Sequence, residues 1–283
     1  MDKKLLAIMA HPDDESFGPG GSLARYARQG AEVYLLCATG GENGTVDPKF
    51  LGGFASIADL RASELSCAAQ KLGLAGVSMA GYRDSGMAGS PENRHPEALA
   101  AQPVEAVAMR IAAEIRRIRP QVVITHDPIG NYRHPDHIAV HNAVVRAFEL
   151  AADPNVLLDS SQPPFTPARL YFHTFPKTFL KAFIRVLTWI GQDTRRFGRN
   201  HDIDLLALVE GVDFPIHAWI NIRRFLGVRE AASACHASQL ASGPPLEGFL
   251  GRIFRFLGRW DYYMRAYPEP EPGLRVIDLF AGL

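Results

Sequence analysis

Two short apolar runs, each opening into a turn rich in metal-binding side chains, constrain this chain more than any other feature. Leu5-Leu6-Ala7-Ile8-Met9 runs into Ala10-His11-Pro12-Asp13-Asp14-Glu15, and Gln121-Val122-Val123-Ile124-Thr125 is followed by Asn131-Tyr132-Arg133-His134-Pro135-Asp136-His137. Apolar runs of this length, ended by proline and acids, read as buried strands of a largely parallel sheet. Open α/β sheets gather their sites beyond the carboxyl ends of such strands, so both turns are expected at one sheet edge. His11 and Asp14 stand three residues apart on a turn stiffened by Pro12, a pairing suited to zinc, while Asp13 can point elsewhere as a free carboxylate. Pro135 suits the first turn of a helix, which sets His134 and His137 on one face, one for metal and one for substrate. A structural zinc site closes four ligands, usually cysteine-rich, whereas a catalytic one keeps three and leaves a place for water. His11, Asp14 and His137 make three. The first turn alone would equally suit an acidic helix N-terminus; two such turns behind two strands favour a metal.

Together the two motifs resemble the PIG-L or LmbE-like family of zinc-dependent N-acetylglucosamine de-N-acetylases, over roughly residues 3–150. Within it, Tyr82-Arg83-Asp84-Ser85-Gly86-Met87 and residues 131–137 are most similar to the deacetylases acting on glucosaminyl conjugates in mycothiol biosynthesis and detoxification. The resemblance implies a Rossmann-like, mostly parallel α/β sheet flanked by helices, with a C-terminal extension. It implies one zinc per chain on His11, Asp14 and His137, with ferrous iron or another divalent ion as substitute. It makes Asp13 the general base and His134 the oxyanion stabiliser or acid, with Asp136 orienting His134 and Tyr132 approaching the substrate carbonyl. It also implies that Arg61 contacts substrate and that Asp84 and Met87 grip the sugar of a small-molecule amino-sugar conjugate. The group attached to the glucosamine is not readable from the residues.

The 283 residues suit one large domain, a metal-binding core over 1–155 and a C-terminal part over 156–283 completing the fold and the pocket. With 30 basic and 30 acidic residues the formal charge is zero, which points away from nucleic acid and anionic membranes. The three cysteines, Cys37, Cys67 and Cys235, are odd in number and far apart, so they read as free thiols in a reducing compartment. The apolar run before His11 is too short for a signal peptide, and residues 179–190 are broken by Lys181 and Arg185. A cytoplasmic enzyme without a membrane span is expected, and homo-oligomers are common among such enzymes.

Between the two motifs, helices are expected over 22–29, 57–72 and 104–119, and strands over 31–38 and 77–82. The glycines at 18, 20 and 21 lack the spacing of a dinucleotide fingerprint and read as allowing close packing against the metal turn. The loop 39–44 should face the site with Glu42 as a substrate-binding candidate, and the long loop 83–103 has the composition of a binding loop. Without the resemblance, Arg61 and Glu64 read as a surface ion pair and Asp84 as a turn residue. His126 and Asp127 could reach the site or cap a strand, and His141 is expected to be satisfied or exposed rather than a ligand. Farther on, a helix over 135–152, a strand over 169–175, an amphipathic helix over 178–190 and an edge strand over 218–222 are expected. His236-Ala237-Ser238-Gln239 and Asp261-Tyr262-Tyr263 resemble family segments without an assignable role. Two rival readings are a hydrolase acting on another acyl amide or ester, and a sugar- or metal-binding protein without turnover; the latter needs neither a free Asp13 nor a second histidine.

Overall fold

The computed structural model describes residues 3–158, 162–196, 204–210, 213–240 and 258–283. The two apolar runs are strands β1 (Lys4–Met9) and β4 (Val122–His126), paired in parallel with Leu5 against Val122. On the other side of β1 lies β2 (Glu32–Thr39), which pairs in parallel with β3 (Gly76–Tyr82). β4 pairs in parallel with β5 (Arg169–Thr174). Two antiparallel strands, β6 (Ala218–Asn221) and β7 (Trp260–Tyr267), then complete a seven-stranded sheet in the order β3-β2-β1-β4-β5-β7-β6. The sheet therefore runs continuously across residue 155, and β6 is an edge strand. β7 was not expected: its mixed aromatic and charged residues lack the apolar run that marks β1 and β4.

Among helices, α1 (Asp14–Phe17) and α2 (Gly20–Arg28) follow β1, while α3 (Ile57–Leu72) and α4 (Val104–Ile118) flank β3 in sequence. α5 (Gly130–Arg133) is a kinked turn leading into α6 (Pro135–Ala152), and α7 (Lys177–Trp189), α8 (Leu205–Glu210) and α9 (Leu226–Cys235) belong to the C-terminal part. α3 starts at Ser56, whose hydroxyl accepts from the Asp59 N–H, and stops at Gly73 in a left-handed conformation. Because β1 is buried on both faces, its alternate side chains feed two cores. Leu5, Ala7 and Met9 join Leu23, Leu65, Tyr171 and Phe280 on one side; Leu6, Ile8 and Ala10 join Val107, Ile111, Val140 and Val144 on the other. A satellite cluster holds Ile184, Leu187 and Leu205 with Phe183 and Ile190, so the expected apolar stripe of α7 packs largely within its own hairpin; the side chain of Phe179 lies outside the description.

The free-thiol reading is corrected by the structure. Cys67 on α3 and Cys235 at the end of α9 form a disulfide with Cα atoms 5.8 Å apart, across 168 residues of sequence. Only Cys37 is a buried free thiol, so the cysteines no longer point to a reducing compartment. Sequence spacing concealed the pair because α9, whose position against α3 brings the sulfurs together, was not anticipated. Among the described residues no helix is long and apolar enough to cross a membrane.

Candidate active site

Strand order reverses between β1 and β4, since β1 continues to β2 on one side and β4 to β5 on the other. At such a switch point the loops leaving the two strands diverge and open a crevice. Both ligand-rich turns leave the sheet here. His11 Nδ1 lies 3.3 Å from His137 Nε2 and 3.6 Å from Asp14 Oδ2, and His137 Nε2 lies 3.3 Å from Asp14 Oδ1. The structure thus brings His11, Asp14 and His137 together from strand ends more than a hundred residues apart in sequence.

Hydrogen bonds to backbone amides fix the histidine tautomers, because an N–H can only donate. His134 caps α6, its Nδ1 accepting from the Asp136 N–H at 3.2 Å, so its proton sits on Nε2. His126 Nε2 accepts from the Ala10 N–H at 3.1 Å, which leaves its Nδ1 proton for Asn131 Oδ1 at 2.8 Å. His11 Nε2 lies 3.2 Å from Asp136 Oδ2, so His11 donates there and turns the Nδ1 lone pair inward. The carboxylate of Asp136 therefore orients His11, while the Asp136 backbone N–H is what meets His134. Ser85 donates to Asp136 through both its amide and its hydroxyl, completing the support.

The electrostatics and donor set fit a divalent cation. Burial disfavours charge on His11, yet the carboxylates of Asp136, Asp14 and Asp84 outweigh it and hold its pKa well above the ordinary value. Asp14, although buried, is held well below the carboxylate range by His137 and His126. Imidazole nitrogens and a carboxylate converging among further acids form a pocket that favours positive charge, and mixed histidine and carboxylate oxygen donors suit zinc and its divalent neighbours. His11, His134 and His137 also come close enough to share an ion, as do Asp14, His126 and His137. His134 is better suited to donating than to ligating, since its Nδ1 is occupied by the Asp136 amide.

Asp13 sits beside this cluster in a strained conformation, with φ 131° and ψ −28°. Its Oδ2 accepts from Arg61 Nη2 at 2.9 Å, and its side chain keeps 17 % of its surface exposed. Burial pushes the Asp13 carboxyl up to about 6 while Arg61 pulls it down. Arg61 is itself buried and also donates to the carbonyls of Gly41 and Pro12. Arg61 thus clamps Asp13 to the backbone on either side of it. Gly41 makes room for it: φ is +66° there, and a Cβ would fall 1.9 Å from Arg61 Nη1. Nor do Arg61 and Glu64 form a surface pair, because both are buried and Glu64 accepts from the amide and hydroxyl of Ser238.

Tyr132 is presented edge-on to His137 and His134, with ring centroids 4.9 and 5.8 Å away. Asn131 and Arg133, on either side of it, both take positive φ, 57° and 67°. Asp84 Oδ1 lies 3.5 Å from His11 Nε2 and accepts from the Gly86 amide, so it is a turn residue and a member of the cluster at once. Glu42 accepts from the Asp84 amide at 3.0 Å, tying loop 39–44 to loop 83–103. Met87 lies half-buried on the same loop, where its carbonyl accepts from Ser90 and Asn93. His141 is buried and paired with the His126 carbonyl, as a satisfied residue should be. Gly18 does pack on the metal turn, a Cβ there falling 2.8 Å from the Asp14 carbonyl, whereas Gly21 admits Ile222 instead. Sequence reasoning assigned no role to His126, Ser85, Glu15 or His236, all buried beside the motif; for His126, its place one residue past β4's apolar run was the available signal.

Residues 6–148 match the family model described as PIG-L, GlcNAc-PI de-N-acetylase. A 1D-myo-inositol 2-acetamido-2-deoxy-alpha-D-glucopyranoside deacetylase from Thermomonospora curvata is 38% identical over 298 residues, spanning 100% of this chain and 97% of that relative. The chain belongs to the PIG-L family. As a PIG-L enzyme it is a hydrolase of N-acetyl amide bonds. The PIG-L fold is shared with N,N'-diacetylchitobiose deacetylase from Pyrococcus horikoshii, at TM-score 0.62 and 21% identity, covering 93% of this chain and 83% of that one. It is shared too with GalB, the 4-carboxy-2-hydroxymuconate hydratase of Pseudomonas putida, at TM-score 0.59 and 18% identity, covering 96% and 99%. At such identities the likeness concerns fold alone, and the hydratase illustrates that this sheet hosts more than one reaction.

Proposed function

We propose that this PIG-L enzyme removes the N-acetyl group from an N-acetylglucosamine conjugate whose aglycone is inositol or a similar polyol, with zinc held by His11, Asp14 and His137. The observation that carries the chemistry is the convergence of His11 Nδ1, Asp14 and His137 Nε2 within 3.3–3.6 Å, with the Asp13 carboxylate alongside. The substrate class follows the relative whose whole length this chain matches.

A zinc ion held by these three residues would polarise the acetyl carbonyl as a Lewis acid and lower the pKa of a bound water. Asp13, clamped by Arg61 and partly open to solvent, accepts the proton from the attacking water. His134, neutral with its proton on Nε2, donates a hydrogen bond to the developing oxyanion. Burial and the neighbouring His11 and His137 hold its pKa below the ordinary value, which keeps it in this donor form and leaves proton transfer to Asp13. The C–N bond breaks, acetate leaves, and the proton taken by Asp13 passes to the departing amine. Tyr132 borders the same space and is assigned to orienting the acetyl group. Glu42 and Met87, half-buried on the two loops, are assigned to meeting the sugar, with the buried Asp84 behind them beside His11.

The test is amine release from a panel of N-acetylglucosamine conjugates that includes the inositol glycoside, with and without a zinc chelator. Release that the chelator abolishes and zinc restores is the expected result. Chelator-resistant release would remove zinc from the reading, and no release from any member would move the substrate outside this class.

A further inference from the structure

Behind the strained Asp13 lies a fully buried pair that the chemistry above does not use. His236 Nε2 is 2.7 Å from Glu15 Oε1, and both residues are 0% exposed. The other oxygen, Glu15 Oε2, accepts the backbone N–H of Asp13 at 2.9 Å. Ser16 Oγ also donates to Glu15 Oε1, at 2.5 Å, so the carboxylate is held from three directions. The Asp13 carbonyl accepts from the amides of Ser16 and Phe17, both at 2.9 Å. With the carbonyl committed to starting α1, the bond from Glu15 to the amide fixes the other backbone polar group of a residue whose φ of 131° is unfavourable when a Cβ is present.

The segment that delivers His236 is itself anchored twice. Cys235, one residue earlier, is bonded to Cys67 of α3, and Ser238, two residues later, gives its amide and hydroxyl to Glu64 of α3, each at 2.7 Å. An imidazole placed this firmly can hold Glu15 at one position. We propose that His236 is a positioning residue for the deacetylation: acting through Glu15, it holds the backbone of Asp13 in the conformation that presents the carboxylate to the reacting water. The proposal rests on Asp13 as the base, and it assigns to the C-terminal part of the chain a role in turnover without contact to substrate or metal.

The experiment measures kcat and KM for amine release from the inositol glycoside in wild type, His236→Gln, His236→Met and Asp13→Asn, with metal content and Tm on the same samples. Glutamine keeps an N–H donor for Glu15; methionine fills the space without one. His236→Met is expected to lower kcat by roughly ten- to a hundredfold, as for a slightly misplaced catalytic group, with KM changed by less than about twofold and metal content unchanged. His236→Gln should recover most of the loss. Wild-type kcat in His236→Met overturns the proposal, as does an equal loss in both His236 variants, or a change confined to KM. Should His236→Met not fold, Glu15→Asp serves in its place: the shortened side chain leaves the Asp13 amide, and undiminished kcat there overturns the proposal equally. Wild-type activity in Asp13→Asn would instead remove the base assignment on which the inference stands.

Discussion

Asp13 owes its usefulness to the residues that keep it where it is. An Asp13→Ala variant is expected to bind zinc as wild type does and to lose about a hundredfold or more in kcat, the ordinary worth of a positioned base. His137→Ala, in contrast, removes a ligand and should lower zinc per chain by elemental analysis; equal zinc loss in both variants would refute the division between base and ligand. Arg61→Ala separates a clamp from a substrate contact. Because the guanidinium meets Asp13 and two carbonyls, kcat should fall more than KM rises, and stability should fall by about 3–5 kcal/mol as buried partners lose their charge match. A KM effect alone would restore the substrate-contact reading. That His11, Asp14 and His137 would meet was legible because they follow short apolar runs that read as neighbouring buried strands. The burial of Arg61 and Glu64 was not legible, because a basic and an acidic residue one helical turn apart look the same from sequence whether they face water or two different buried partners.

At the scale of the element, α3 does more than cover the sheet. Arg61, Glu64 and Cys67 recur every three residues, and each fastens something different: Arg61 the carboxylate of Asp13, Glu64 the segment at Ser238, and Cys67 the end of α9. The disulfide makes a direct chemical prediction: thiol titration in denaturant without reductant should find one reactive cysteine per chain, Cys37, and three after reduction. Three thiols before reduction would refute the bond. Strands and helices with a clean period were readable, among them α3 and α6 at the bounds the structure shows. β7 and α9 were not, because their faces are matched to partners brought near only by the finished fold: Asp261 to Ser22, Cys235 to Cys67.

For the whole molecule, the His236–Glu15 pair ties folding to pH. Burial lowers the pKa of His236, but the bond to Glu15 and the charges of Glu15, Asp13 and Glu64 outweigh it and raise the folded value above 6.5. A raised histidine binds its proton more tightly when folded, so its contribution to stability is complete below pH 6.5 and fades as pH climbs through the folded value. The Tm gap between wild type and His236→Met should accordingly narrow as the solution is made alkaline; a gap that widens would contradict the sign. The order in which the pieces of the sheet become available adds a further consequence. All three proposed zinc ligands have been synthesised by residue 137, whereas His236 and β7, which closes the open side of β5, come about a hundred residues later. At translation speeds of roughly 5–20 residues per second, the nascent chain carries a ligand-complete site for several seconds before the pair that steadies Asp13 exists. Metal capture can therefore precede catalytic competence during synthesis.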